Sequence, residues 1–187
     1  QVFSISDLYG GNIGNPGDLG DAIRNEEGGP IGNFYGKRFA GFTDDGKWQF
    51  YKADGSIGGV TDMVEEDKAI LGNGLPKYYA SLSNTFRYKN FDLSLLFRGK
   101  FKYDILNTVN LFYGNPNSGG NLLTSALGKY SQIDEAPQYS DYYLEKGDFV
   151  KLDNLTLGYT FNLPEKSAFT GLRIYGSARN LATFTGY

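Results

Sequence analysis

Tyr78-Tyr79-Ala80-Ser81-Leu82-Ser83-Asn84-Thr85-Phe86-Arg87-Tyr88 and Phe91-Asp92-Leu93-Ser94-Leu95-Leu96-Phe97-Arg98-Gly99-Lys100-Phe101 flank the pair Lys89-Asn90. A two-residue connection sets Tyr88 opposite Phe91 and fixes each later pair by counting outward. One face then carries Tyr88–Phe91, Phe86–Leu93, Asn84–Leu95, Leu82–Phe97, Ala80–Gly99 and Tyr78–Phe101. The other carries Arg87–Asp92, Thr85–Ser94, Ser83–Leu96, Ser81–Arg98 and Tyr79–Lys100. The first face is apolar except at Asn84; the second is polar except at Leu96 and the amphipathic Tyr79. Arg87 and Asp92 fall opposite each other, where a cross-strand charge pair is expected. A slip of one residue would move Arg87, Asp92, Arg98 and Lys100 to the apolar side, so the register is strongly specified.

Each strand is about 11 residues long, the length a tilted strand needs to cross the hydrocarbon of a bilayer. The apolar face ends in aromatics, Tyr88 and Phe91 at the turn and Tyr78 and Phe101 at the far end, like the two girdles of an outer-membrane barrel. On this reading Leu82, Phe86, Leu93, Leu95 and Phe97 face outer-membrane lipid. Ser81, Ser83, Thr85, Arg87, Asp92, Ser94, Arg98 and Lys100 face the lumen, chiefly because barrel interiors are polar.

A second hairpin repeats the pattern. Leu155, Leu157, Tyr159 and Phe161 alternate with Asn154, Thr156, Gly158 and Thr160; beyond Leu163–Gly171, Leu172, Ile174, Gly176 and Ala178 alternate with Arg173, Tyr175, Ser177 and Arg179. Connections within the hairpins are short, whereas those before Tyr78 and from Lys102 to Gly147 are long, polar and rich in Gly, Asn and Asp. Short turns on one side and long loops outside is the asymmetry of outer-membrane barrels. Ile31–Phe42 reads as β-structure inside an external loop, Val2–Leu8 as the end of an earlier strand, and Asp104–Tyr113 as a turn or two of helix. Four clear strands do not close a barrel, since the smallest bacterial ones use eight. The expected fold is therefore an all-β, antiparallel transmembrane β-barrel fragment with long external loops. Residues 1–76 are mostly external loop, 77–101 a hairpin, 102–147 external loop and 148–184 a second hairpin.

Composition narrows the chemistry. The 187 residues contain neither Cys nor His, which excludes thiolate and imidazole catalysis and zinc-thiolate sites. With net charge −3 and no basic block, the sequence offers no nucleic-acid surface. No run reaches the 18 apolar residues of a membrane-spanning helix, and the mean hydropathy of −0.40 fits strands that are apolar only on alternate residues. Gln1-Val2-Phe3 has no Met, charged region or apolar core of a signal peptide, as expected if a signal was removed or the chain begins inside a longer protein. The acidic stretch Asp62, Glu65, Glu66, Asp67 and the loop Asp54–Gly58 lack the ligand spacing of a calcium loop and read as solvated turns. Gly10–Gly20 lacks the Gly-Lys-Ser/Thr of a phosphate cradle. Glu145 and Asp148 flank a strand start, where acidic residues are ordinary. Neither a cofactor nor catalysis is expected.

Several stretches resemble, in order, the C-terminal half of the SusC/RagA family of TonB-dependent outer-membrane transporters. They are Gly28-Gly29-Pro30-Ile31-Gly32-Asn33-Phe34-Tyr35-Gly36, Asp67-Lys68-Ala69-Ile70-Leu71-Gly72-Asn73-Gly74-Leu75-Pro76-Lys77-Tyr78, Phe86–Ser94 with Phe97-Arg98-Gly99, Phe149–Tyr159, and Arg179–Tyr187. Each is weak alone, and their succession is specific. Lys68 and Asp153 replace residues that are more usually Arg and a basic residue, and Arg179 stands where Gln is more usual. The family continues past the position of Tyr187 to a final strand.

The resemblance implies a barrel of roughly 22 strands closed by an internal plug, with the plug and the TonB-contacting segment upstream of this chain. It also implies a SusD-like surface lipoprotein as a lid, and glycan oligomers or peptides as cargo. Tyr113, Tyr130, Tyr139, Tyr142 and Tyr143, in or beside the long loop, are candidates for stacking on ligand or contacting the lid. The competing reading is a soluble, Tyr-rich β-sandwich that binds carbohydrate. A complete small barrel with a structural or adhesive role has too few strands.

Overall fold

The structure, a computed structural model, describes residues 3–4, 19–118 and 120–187. Its strands in chain order are β1 (Phe3–Ser4), β2 (Ile23–Asn25), β3 (Asn33–Gly36), β4 (Arg38–Phe42), β5 (Trp48–Tyr51), β6 (Ile57–Gly58), β7 (Ala69–Asn73), β8 (Tyr78–Tyr88), β9 (Phe91–Phe101), β10 (Asp104–Leu106), β11 (Leu144–Lys146), β12 (Phe149–Phe161) and β13 (Leu172–Thr185). Helix α1 spans Thr108–Tyr113. Two compact units result: a loop unit of 1–75 with 104–145, and a sheet unit of 76–103 with 146–187.

The sheet unit is one antiparallel sheet in the order β13-β12-β9-β8. All the pairs counted outward from Lys89-Asn90 coincide with the observed register, from Tyr88–Phe91 to Tyr78–Phe101. Asn90 secures the turn to the neighbouring strand: its carbonyl accepts the Thr160 N–H at 2.8 Å, and its side-chain amide donates to the Thr160 carbonyl at 2.7 Å.

The second hairpin is longer than its alternation indicates. Leu152 pairs with Phe97 and Asn154 with Leu96, which leaves Asp153 as the extra residue of a β-bulge. Apolar residues therefore occupy even positions before the bulge (Val150, Leu152) and odd positions after it (Leu155 to Phe161), yet all lie on one face. On β13 the ladder passes from Arg179 to Ala182, with Asn180 at φ +53° in the irregular stretch.

The loop unit has a core of its own. Trp48, Phe50, Leu111, Tyr139, Tyr143, Ile133 and Tyr130 are buried together, with Phe39, Phe42 and Tyr142 packed against them. Trp48 joins distant segments: its ring Nε1–H donates to the Ala136 carbonyl at 2.9 Å and its backbone N–H to the Glu135 carboxylate at 2.9 Å. Gly36 of β3 lies under the Tyr139 ring, where a Cβ would sit 2.6 Å from the ring edge. That contact explains why the sequence ends its Phe-Tyr-Gly run with the one residue that has no side chain.

Ile31–Phe42 divides into β3 and β4, which belong to different sheets. The division falls at Lys37, which is buried, bridges to Ser140 and donates from Nζ to the Gln138 side chain at 2.7 Å. In Asp104–Tyr113 only the second half is helical. Asp104–Leu106 pairs with β11, and Asn107 then caps α1 by accepting the Asn110 N–H at 2.9 Å. Of Val2–Leu8 only Phe3–Ser4 is described, as a strand paired with β2. Residues 10–18 lie outside the described residues.

Asp67 gives the loop unit one acid-sensitive contact. Its buried carboxylate accepts the Ala53 and Val64 N–H groups at 2.8 and 3.0 Å, and the Ala53 bond above all holds it below the usual carboxylate range. The stabilisation is complete above the ordinary aspartate pKa of about 3.9 and is lost as pH falls through the lower folded value. Amide exchange at Ala53 and Val64, corrected for intrinsic rates, is expected to accelerate below about pH 4. Asp67→Asn should flatten that dependence. Protection at these two amides that ignores acid would show that the carboxylate does not hold the turn.

Candidate functional site: the polar face of the four-stranded sheet

The two faces of the sheet differ throughout. On one, Leu82, Phe86, Phe91, Leu157, Leu172, Ile174 and Phe184 are exposed large apolar side chains, Leu82 at 58% and Ile174 at 60%. A sandwich would have buried this row beneath a second sheet, because water-exposed apolar area of this extent opposes folding. Phe91 and Tyr159 meet edge-on with ring centroids 4.7 Å apart, continuing the aromatic end of the face from the first hairpin into the second.

The polar face has three parts. Midway along the strands a row of hydroxyls crosses the whole sheet, Thr85 opposite Ser94, Ser94 opposite Thr156, and Thr156 opposite Ser177. Thr85 and Ser94 are 3.4 Å apart and Thr156 hydrogen-bonds Ser177. Nearer the short turns, Asp92 makes its ion pair with Arg173 of β13. Arg87 holds the cross-strand position foreseen for it. Arg173 Nε donates to Asp92 Oδ1 at 2.9 Å and a terminal nitrogen to Oδ2 at 2.5 Å, a two-point contact that passes over β12. Gly158 leaves the room for it, since a Cβ there would lie 2.3 Å from the guanidinium and 2.6 Å from the carboxylate. Nearer the long connections, the bulge residue Asp153 binds Arg98 at 2.5 Å and Lys151 at 3.1 Å, and Lys151 also donates to the Asn180 side chain at 3.1 Å.

The glycine makes the first ion pair testable. Gly158→Val and Asp92→Asn should each lower the unfolding midpoint, and together they should lower it no further than the larger single change, because both remove one interaction. Additive losses in urea unfolding of the variant set would mean that Gly158 serves something other than the Arg173–Asp92 contact.

Among curated proteins, TonB-dependent receptor P3 of Formosa agariphila is 30% identical over 187 residues, covering 86% of this chain and 18% of that protein. TonB-dependent receptor SusC of Bacteroides thetaiotaomicron is 32% identical over 127 residues, covering 61% of this chain and 12% of SusC. The chain belongs to the SusC/RagA-like TonB-dependent receptors. It spans less than a fifth of the length of these relatives. No family model matches it. The solved "Structure of the RagAB peptide transporter" superposes with a TM-score of 0.74 at 22% identity, covering 89% of this chain and 20% of that one. A RagAB peptide importer in the "open-open" state gives 0.70 at 20% identity over 96% of this chain. At this level of identity the likeness concerns the fold: the sheet of this receptor segment is an all-β fragment of a transmembrane barrel.

Within the receptor segment the loop tyrosines divide sharply. Tyr139, Tyr143 and Tyr130 are 0%, 2% and 4% exposed, so they are core residues of the loop unit and offer no surface to a ligand or lid. Burial pushes the phenol pKa of Tyr139 and Tyr143 upward. Tyr142 is half-buried in the same aromatic cluster, edge-on to Phe42 at 5.5 Å and Tyr143 at 5.1 Å. Tyr113, 51% exposed at the end of α1, is the member of the set most open to contact. The reason is local supply. The loop unit needs large apolar side chains for its core, and these tyrosines provide them.

The eight residues expected on the lumen side share the polar face of β8 and β9. Sequence reasoning did not single out Lys151, Asp153, Thr156, Arg173, Ser177 and Arg179, which complete that face. Alternation in the second hairpin marks Thr156, Arg173, Ser177 and Arg179 as polar-row residues; the signal of the bulge that brings Asp153 onto this side is the change of parity of the apolar row across Asp153-Asn154.

Proposed function

We propose that this chain is the C-terminal barrel portion of an outer-membrane, TonB-dependent importer of glycan oligosaccharides or peptides that works with a SusD-like surface lipoprotein. The observation that carries the reading is the two-faced sheet: strands of 11 to 14 residues with an exposed apolar row ending in aromatics, and a hydrogen-bonded polar row behind it. Eleven residues at about 3.4 Å rise, tilted by about 45°, span roughly the 25 Å apolar band of an outer-membrane barrel. In this reading Ser81, Ser83, Thr85, Arg87, Asp92, Ser94, Arg98 and Lys100 line the lumen, and Leu82, Phe86, Leu93, Leu95 and Phe97 contact lipid. Tyr113 is the remaining loop aromatic for a ligand or the lid. TonB engages a region outside this chain.

The test is extraction of the intact receptor from its native envelope. The expected result is a heat-modifiable outer-membrane protein that co-purifies with a surface lipoprotein and whose deletion abolishes growth on one oligomeric nutrient. A monodisperse folded protein without detergent, or a receptor that never carries a lipoprotein, would overturn the proposal.

A further inference from the structure

The sheet unit is basic within an acidic chain. Residues 76–103 and 146–187 hold eleven Lys and Arg against four Asp and Glu, a formal charge of +7 in a chain whose total is −3. The excess is uneven along the polar face. Toward the short turns Arg87 and Arg173 stand with Asp92, whereas toward the long connections Arg98, Lys100, Lys151 and Arg179 stand with Asp153, and Asp148 just before β12 accepts the Lys102 N–H. An open groove of about 440 Å³ beside the bulge is lined by Arg98, Lys151, Asp153, Asn154, Arg179 and Asn180. It adjoins a second of about 440 Å³, which shares Arg98 and Lys151 and adds Lys100 and the Tyr79 ring.

Asp153 cannot satisfy these cations. Its two oxygens are already taken, by Arg98 and Lys151, and its side chain is only 13% exposed beneath them. Arg98 keeps 56% of its side chain exposed and meets Asp153 through one terminal nitrogen of a guanidinium that carries five N–H donors. Arg179 is exposed and makes no ion pair among the described residues, and Lys100 lies over the exposed Tyr79 ring at 5.6 Å. The charged side chains lining the two grooves are four cations and one carboxylate.

We propose that the bulge on β12 builds an anion-binding wall, and that the cargo of this receptor is an oligomer bearing closely spaced carboxylate or sulfate groups. The inference rests on the importer reading above, which places this face in the lumen. Arg98 and Arg179 bind the acidic groups by charge-assisted hydrogen bonds, Lys100 and Lys151 add point charge, and Tyr79 offers an apolar ring face beside them. Asp153 orients Arg98 and Lys151 and sets the affinity by partly neutralising them.

The experiment is calorimetric titration of the intact detergent-extracted receptor with tetragalacturonate, tetra-aspartate and neutral maltotetraose, at low and physiological salt. An anionic tetramer should bind, at least tenfold more tightly than maltotetraose, and weaken as salt rises. Whichever of the two anions binds shows whether the acidic groups come from sugar or peptide. Arg179→Gln, which breaks no ion pair, should weaken binding about threefold, and Arg98→Gln with Lys151→Gln about tenfold. Asp153→Asn should strengthen binding, an outcome that a purely structural role for the cluster does not give. Equal binding of neutral and anionic tetramers, or binding indifferent to all three changes, overturns the inference and leaves the importer reading intact. So does a rise in antibiotic permeability of the variants with unchanged ligand affinity, since the cations would then hold the receptor's own plug. Failure of the receptor to partition to the outer membrane refutes the importer reading itself.

Discussion

Leu95→Arg is expected to destabilise the membrane-inserted receptor by about 2–4 kcal/mol, the cost of a cation at the lipid midplane of a barrel strand. Leu95 lies near the middle of β9, opposite Asn84 on one side and Leu155 on the other, on the face that carries Leu82, Phe86 and Phe97. Neither neighbour offers a charge, and an arginine at mid-strand has the longest reach to either polar boundary. The matched control is Leu96→Arg. Leu96 pairs with Ser83 and Asn154 on the opposite face, beside Arg98 and Arg179, where an added cation stays hydrated and should have little effect. Urea unfolding of the receptor refolded into vesicles, read by heat-modifiable mobility, should separate the two by roughly 30- to 900-fold in the folding constant. Equal losses at the adjacent positions, or a larger one at Leu96, would mean that the sheet does not present one face to lipid.

Trp48→Ala should remove about 3–5 kcal/mol from the loop unit, the usual cost of emptying a large buried aromatic site. Trp48 is wholly buried, with ring centroids of Phe42, Tyr142 and Phe39 at 4.8, 5.4 and 5.9 Å. Its indole also links β5 to the Ala136 carbonyl 88 residues away. Trp48→Phe retains part of the packing but leaves that carbonyl without its donor, so an intermediate loss of about 1–3 kcal/mol is expected. Trypsin cleavage after Lys47 and Lys129 in the intact receptor, measured against urea, reads the unit directly. The two variants should shift cleavage to lower urea in the order Ala, Phe, wild type. Cleavage curves that coincide would show that the aromatic cluster does not hold the long loops together.

Legibility followed the range of the interactions. The Lys89-Asn90 turn and strict alternation determine the first hairpin completely, because register there needs only counting from a two-residue loop. The second hairpin is placed at 148–184, but its alternation is assigned only from Asn154 to Phe161 on its first strand. At Asp153 the bulge reverses the parity of the apolar residues, and a single alternation carried along the strand misses the inserted residue. Arg87 does stand opposite Asp92, but the direct ion pair of Asp92 is with Arg173, for a related reason. Opposite position is local, but Asp92's choice of Arg173 depends on a third strand and on the absence of a Cβ at Gly158. For the loops the sequence marked length, polarity and aromatic content. It did not distinguish exposed Tyr113 from buried Tyr139, because burial there depends on residues 19–51 and 106–143 meeting in one core.

By itself, then, the sequence determined that this chain forms strands with one apolar and one polar face, since the pleat turns alternate side chains to opposite sides wherever they lie. Only the tertiary structure decided which polar residues meet across β9, β12 and β13, where the bulge gathers Arg98, Lys151 and Asp153, and which tyrosines became core. These outcomes depend on contacts between residues far apart in the chain, whose partners no local pattern specifies.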